Sequence, residues 1–213
     1  MVFGTHRVLD EVSLDIASGK SVAIMGPSGS GKTSLLNCVM GLRVPDSGAV
    51  WVGDNRVDQL FESDRSALRR TEMGLVFQSP DLLPELTVGE NVAITRIFDG
   101  QDRRQALTAA GVSLGAVGLA GMAGRATHEL SGGEAQRVAV ARAMCRAELG
   151  LVVADEPTAS LDRVSADAVT SLLIEQTTSR GVTLLLATHD PAVADRCDRI
   201  VELPTVATSD RAS

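Results

Sequence analysis

The strongest chemical signal in the chain is GPSGSGKT at 26–33. It fits the pattern G-x-x-x-x-G-K-[ST]. Gly26, Pro27, Ser28, Gly29, Ser30 and Gly31 form a loop whose glycines let the backbone fold tightly, so that its N–H groups point inward at phosphate oxygens. A helix starting just after the loop sets its positive dipole end on the same anion. Lys32 supplies a charge for the β- and γ-phosphates, and the Thr33 hydroxyl can sit on Mg²⁺. Four constrained positions match by chance in about one chain per hundred of this length.

A site of this kind also needs a carboxylate for the metal and a group that orients water. LVVADEP at 151–157 offers both, because an apolar run ends in Asp155 and Glu156. Ligands of parallel sheets bind at such strand ends. Asp155 would hold Mg²⁺ through water, and Glu156 would act as general base on the attacking water. LLLATHD repeats the pattern and ends on His189, within hydrogen-bond reach of a γ-phosphate if its strand neighbours the nucleotide strand. Gln78 closes GLVFQ and would bring an amide near the metal. Alone, Asp-Glu-Pro reads as a strand-end turn, a single histidine as structural and Gln78 as unremarkable. Beside a complete phosphate loop they read as one site.

These groups need elements to hold them. The runs at 21–25, 48–53, 73–78, 149–156 and 181–190 read as strands. Helices are expected at 31–40, 62–70, 87–98, 102–111, 131–149 and 163–180. Short strands alternating with helices predict a parallel α/β sheet. Between about 79 and 147 the texture becomes helical, which predicts a helical unit inserted in a single 213-residue domain. The last residues, from about 204, read as a disordered tail.

Composition limits the function classes. Apolar residues make up 44% of the chain, enough for a sizeable core, and with four Phe, one Trp and no Tyr that core must be Val, Leu, Ile and Ala. The formal net charge of −7 argues against a nucleic-acid partner. No apolar run reaches the roughly 20 residues of a membrane span, and no signal sequence is expected, which places the chain in the cytoplasm. Cys38, Cys145 and Cys197 fit neither a disulfide framework nor a metal spacing and read as small apolar residues.

A second glycine-rich stretch, HELSGGEAQR at 128–137, raises the question of why one small protein needs two. Ser131 and Glu134 stand as a capping box at the start of a long helix. In order, GPSGSGKT, VFQ, LSGGEAQR, VVADEPTASLD and ATHD resemble the motifs of the ATP-binding-cassette (ABC) ATPases over nearly the whole chain. A phosphate loop by itself would leave kinases and small GTPases open, whereas LSGGE is the family's own signature.

The resemblance implies a P-loop NTPase fold: a RecA-like parallel core, a small antiparallel β subdomain and a helical signature subdomain. It implies two subunits closing head to tail over two ATP, with Leu130, Ser131, Gly132, Gly133 and Glu134 of each facing the partner's γ-phosphate. On the same grounds Ser34 joins the ATP-binding run after Thr33, and Gln78 matches the residue that contacts Mg²⁺ and relays to a membrane subunit. Ser160, Leu161 and Asp162 match the loop that crosses the dimer interface, His189 matches the switch histidine, and Phe3 matches the aromatic that stacks on adenine. The partners implied are a second copy and an integral membrane permease, which would hold the chain on the inner face of the cell membrane. SLLNCVMGLRVPDSGAVWVGD and FQSPDLLPELTVGENV resemble the group of lipoprotein-releasing, macrolide-exporting, haem-exporting and cell-division ATPases. Two alternatives remain open at this stage: a mechanotransmitting complex that moves no cargo, and a soluble non-transport ABC protein. The chain departs from the family in having no first β-strand ahead of Phe3 and in lacking a D-G-x-I strand after DRIVEL.

Overall fold

A computed structural model of the chain describes residues 2–3, 6–7, 9–146 and 148–204, the first two pairs by backbone alone. Its elements run β1 (Val2–Phe3), β2 (His6–Arg7), β3 (Ser21–Met25), α1 (Lys32–Val39), β4 (Trp51–Val52), β5 (Asn55–Arg56), α2 (Glu62–Glu72) and β6 (Met73–Val76). Then come α3 (Val88–Phe98), α4 (Arg103–Ala116), α5 (Gly132–Met144), β7 (Leu151–Asp155), α6 (Arg163–Ser179), β8 (Thr183–Ala187), α7 (Pro191–Ala194) and β9 (Arg199–Glu202).

Five strands form one parallel sheet in the order β6-β7-β8-β3-β9. Both faces are covered, which is why these strands read as continuous apolar runs rather than alternating ones. The alternation survives in where the side chains go. Val152, Ala154, Leu184 and Leu186 pack in one cluster with α3, α4, α5 and α6. Leu151, Val153, Leu185 and Ala187 pack on the opposite face with Val22, Ile24 and Leu36. The core is aliphatic, as the shortage of aromatics requires.

The strand order puts β3, which feeds the phosphate loop, beside β8, and puts β8 beside β7. The C-terminal ends of these three strands are Met25, Asp155 and Ala187, so the loop, the acidic pair and His189 all issue from one edge. Three helices, α3, α4 and α5, lie between β6 and β7 in sequence. The last of them is pressed onto β6, because a Cβ at Gly74 would lie 2.7 Å from the Ala143 carbonyl.

Several boundaries differ from the sequence reading; α4 runs on to Ala116, past the expected end at 111, and β8 is shorter than the expected 181–190. The run at 48–53 is not one strand but the first arm of a hairpin, β4 paired antiparallel with β5 around Gly53, whose φ of 56° suits glycine. β6 ends at Val76, so Gln78 lies beyond the strand in a loop. α5 ends at Met144 rather than 149, where Arg180 donates hydrogen bonds to the Met144 and Arg146 carbonyls from the end of α6. β7 runs Leu151–Asp155, which leaves Glu156 outside it. At the termini, β1 and β2 pair antiparallel; the Phe3 side chain, and with it the expected adenine stack, lies outside the described residues. So does the expected tail beyond 204.

Candidate nucleotide site

The loop between β3 and α1 has the geometry that its glycines predict. Gly29 and Gly31 take φ values of 82° and 95°, in the left-handed region that costs glycine nothing. Gly31 stands at the N-cap of α1, which has no side-chain cap and no acidic residue in its first turn. The first N–H groups of that helix are therefore left for an anion. Lys32 is buried and folds back over the loop, its Nζ donating to the Gly26 carbonyl at 2.7 Å and the Pro27 carbonyl at 3.2 Å. Ser28 and Thr33 are exposed at the loop's mouth, while Ser34 is half-buried. Ser30 is buried, and its Oγ has no hydrogen-bond partner among the described residues.

Asp155 ends β7 beside this loop. Its Oδ1 is buried without a partner, and the Thr33 side chain is close to the carboxyl. Burial, with the neighbouring Glu156 charge, pushes the Asp155 pKa up, against the pull of the Thr33 hydroxyl and of nearby Lys32. A buried, unpaired carboxylate oxygen beside a hydroxyl is an arrangement that a hard divalent cation would relieve.

Glu156 leaves the strand with φ of 48°, a left-handed backbone that costs a residue with a Cβ about 1–2 kcal/mol. Its N–H donates to the Ala187 carbonyl at 2.9 Å, which anchors the kink to the end of β8. The kink carries the carboxylate off the strand line and into the mouth of the loop. Oε1 lies 3.5 Å from Lys32 Nζ and Oε2 lies 2.8 Å from His189 Nδ1. The Glu156 side chain is 17% exposed and that of His189 is 64% exposed, so the pair spans the boundary between core and solvent.

Gln78 faces the same space and donates to Ser160 Oγ at 3.3 Å. Thr33, Phe77, Gln78, Ser79, Pro80, Asp81, Asp155, Glu156 and Ser160 line one open cleft. Residues 130–134 are not among its walls. They sit instead at the N-terminus of α5, where Ser131 caps the helix. Its N–H and its hydroxyl both donate to Glu134 Oε2 at 2.8 Å, and its Oγ accepts from the Glu134 N–H at 3.3 Å. These bonds, the Ser131 N–H first, hold the Glu134 carboxyl below its ordinary range. The predicted residues thus fall into two groups, one around the cleft and one at the tip of α5. Ser160, Leu161 and Asp162 lie between them: Ser160 touches Gln78, and Leu161 comes within 3.7 Å of where a Gly132 Cβ would be.

Sequence reasoning missed the residues that hold the Gln78 segment. Gln136 is fully buried and donates to the Phe77 carbonyl at 2.8 Å. Arg142, two turns further along α5, donates to the Asp81 carbonyl at 2.8 Å and to the Pro80 carbonyl at 2.7 Å. Asn91, also fully buried, accepts from the Leu83 N–H at 2.7 Å and donates to the Leu83, Leu86 and Thr87 carbonyls. A polar residue at an apolar position of a helix was the available signal, since a buried amide must be bonded.

The profile of the family described as ABC transporter matches residues 9–159. An uncharacterised ABC transporter ATP-binding protein of Mycobacterium tuberculosis is 41% identical over 198 residues, covering 93% of this chain and 79% of that protein. The lipoprotein-releasing system ATP-binding protein LolD of Bordetella avium is 45% identical over 193 residues, 91% of this chain and 84% of its own. Among solved structures, a dimeric post-hydrolysis state of the ATP-binding cassette MJ0796 bound to ADP and Pi superposes with a TM-score of 0.84 at 35% identity, covering 93% of this chain and 87% of that one.

Proposed function

The chain belongs to the ABC transporter family, and from that premise we propose that it is the ATP-hydrolysing subunit of a transporter. Two copies close over two ATP, and their opening and closing drive an integral membrane permease. The single observation that carries this reading is the position of Glu156, shared between Lys32 at the phosphate loop and His189 at the end of the neighbouring strand.

The phosphate loop, Gly26 to Thr33 with Ser34, binds the triphosphate through backbone N–H groups and Lys32. Glu156 accepts a proton from water as the water oxygen bonds the γ-phosphorus and the bond to the β-phosphate oxygen breaks, leaving ADP and phosphate. His189 holds Glu156 in place and contacts the γ-phosphate. Thr33, Asp155 and Gln78 would hold Mg²⁺, which supplies neutralising charge at the β- and γ-phosphates when bound. The unpaired Asp155 oxygen beside Thr33 supports that assignment. Leu130, Ser131, Gly132, Gly133 and Glu134 serve the partner's nucleotide, with Ser160, Leu161 and Asp162 at the interface. That residues 130–134 are not among the walls of their own cleft supports a site completed in trans, as does the dimeric form of the MJ0796 cassette.

The chain forms one cassette, with residues of about 79–147 as its helical unit. No helix among the described residues is long and apolar enough to cross a membrane, so a permease would hold the protein at the inner face. Relatives named for lipoprotein release support an export-type partner. The test is ATP turnover per subunit measured against protein concentration with Mg²⁺. A site completed by a second copy gives a rate per subunit that rises with concentration and then levels. A flat profile, with a monomer at saturating ATP, overturns the two-chain reading.

A further inference from the structure

Gly133 has an ordinary helical backbone in α5 and does not take a positive φ. Conformation therefore does not require glycine there, but space does. A Cβ at 133 would fall 2.8 Å from Ser165 Oγ and 3.0 Å from Ser165 Cβ. At Gly132 the nearest atom would be Leu161 Cδ2 at 3.7 Å, an ordinary contact. Ser165 cannot swing aside freely. Its N–H donates to Asp162 Oδ1 at 3.0 Å and its hydroxyl to Asp162 Oδ2 at 2.7 Å, and Asp162 is the N-cap of α6. Two residues before Asp162, Ser160 takes the hydrogen bond from Gln78. One short segment thus touches the cleft at one end and the signature helix at the other.

We propose that Ser165 is a positioning residue for the signature. Its capped side chain is the seat on which Gly133 rests, and it sets the separation between the signature tip and the cleft of the same chain. The inference rests on the two-chain reading above, because a signature that serves another chain's triphosphate works only if that separation is held.

A Cβ at 133 would have to lift α5 from Ser165 by roughly half an ångström to reach ordinary contact distance. Misplacement of about one ångström costs about a hundredfold in rate, so Gly133→Ala is expected to lose about tenfold in turnover at saturating ATP. The crowding should lower the unfolding midpoint, offset in part by the better helix propensity of alanine, about 1 kcal/mol. Ser165→Gly removes both crowding atoms. In Gly133→Ala/Ser165→Gly the turnover should recover over Gly133→Ala by about threefold or more, within the range of couplings between touching residues. Ser165→Ala keeps the Cβ and should give the smaller recovery. A double variant as slow as Gly133→Ala, or slower, overturns the proposal and leaves glycine at 133 serving only the contact in trans. The same proteins are melted without nucleotide to separate the two readings. A wild type that neither hydrolyses ATP nor pairs sinks the two-chain reading, whereas midpoints that add without coupling sink the seat.

Discussion

Replacing Glu156 by Gln isolates proton acceptance from everything else that this residue does. The side chain keeps its length, and the left-handed backbone, φ 48°, is no worse for Gln than for Glu. The Ala187 carbonyl still receives the N–H at 156. What disappears is a charge and a base. A positioned general base contributes about 10²–10⁴ in rate, equivalent to about 2.7–5.4 kcal/mol of barrier. Turnover at saturating ATP should fall by that factor. Binding should move the other way, if it moves at all. Wild-type Glu156 sits 3.5 Å from Lys32 and competes with an incoming phosphate for that ammonium. Removing the competitor should favour ATP by about 1 kcal/mol or less, up to roughly fivefold in Kd. The measurements are steady-state phosphate release, equilibrium binding of a fluorescent ATP analogue, and mass by light scattering. The expected variant binds at least as well as wild type, turns over poorly and accumulates as a nucleotide-bound dimer. Turnover within about threefold of wild type would refute Glu156 as the base, since losing a positioned base costs about a hundredfold at the least. Weakened binding in parallel with lost turnover would refute the geometry instead, because it would make Glu156 a binding group.

Lys32→Ala removes the ammonium that donates to the Gly26 and Pro27 carbonyls, and should weaken ATP by about 10–100-fold, the range for a charged hydrogen bond; an unchanged Kd in the same binding titration would count against the phosphate loop. Asn91→Leu leaves the Leu83 N–H and the Leu86 carbonyl without their partner, while the Leu83 and Thr87 carbonyls keep the Leu86 and Asn91 N–H groups, and should cost about 2–4 kcal/mol, a drop of about 5–10 °C in unfolding midpoint; a midpoint within a degree of wild type would contradict its assigned role. Asp198 accepts from the Ser21 N–H and hydroxyl and from Lys20, the Ser21 N–H contributing most, and its carboxyl is pulled down to about 2. A depressed carboxylate stabilises the fold above its unfolded pKa and loses that contribution as pH falls towards the folded one. The urea midpoint of Asp198→Asn should therefore lie below wild type at neutral pH, with the gap closing as pH drops from roughly 4 towards 2; a gap that widens on acidification would reverse the sign and the assignment.

The sheet was legible because a strand buried on both faces reads as an unbroken apolar run, and SVAIM, LVVA and TLLLA are such runs. The phosphate loop was legible because only glycine tolerates the angles at 29 and 31 without strain. The capping box at Ser131 and Glu134 was legible because it is local chemistry. What the sequence hid was set by tertiary contact. The end of α5 at Met144 carries no glycine or proline, and the guanidinium that meets its last carbonyls comes from Arg180. The kink at Glu156 is a backbone choice held by Ala187 across the sheet. GAVWVG read as a strand because its Val-Trp-Val pattern outweighed the turn signal of Gly53, Asp54 and Asn55 that folds it back.

The two glycine loops are joined within one chain by rigid parts rather than by proximity. Gln136 and Arg142 lie on the same helix as the signature, and they grip the Gln78 segment on both sides, at Phe77 and at Pro80 and Asp81. All three gripped groups are backbone carbonyls, so the grip fixes the course of the main chain and not merely a side-chain rotamer. Gln136 is 1% exposed, and breaking its bond would strand a buried amide at a cost of about 1–3 kcal/mol. A movement of Gln78 towards bound nucleotide therefore takes α5 with it more cheaply than it tears away from it. Ser131 caps the far end of that helix, so on the two-chain reading proposed above a displacement begun at one chain's cleft would be delivered at the tip that serves the other chain's triphosphate. On that reading each chain's cleft would report on its own nucleotide to the site that it completes in its partner.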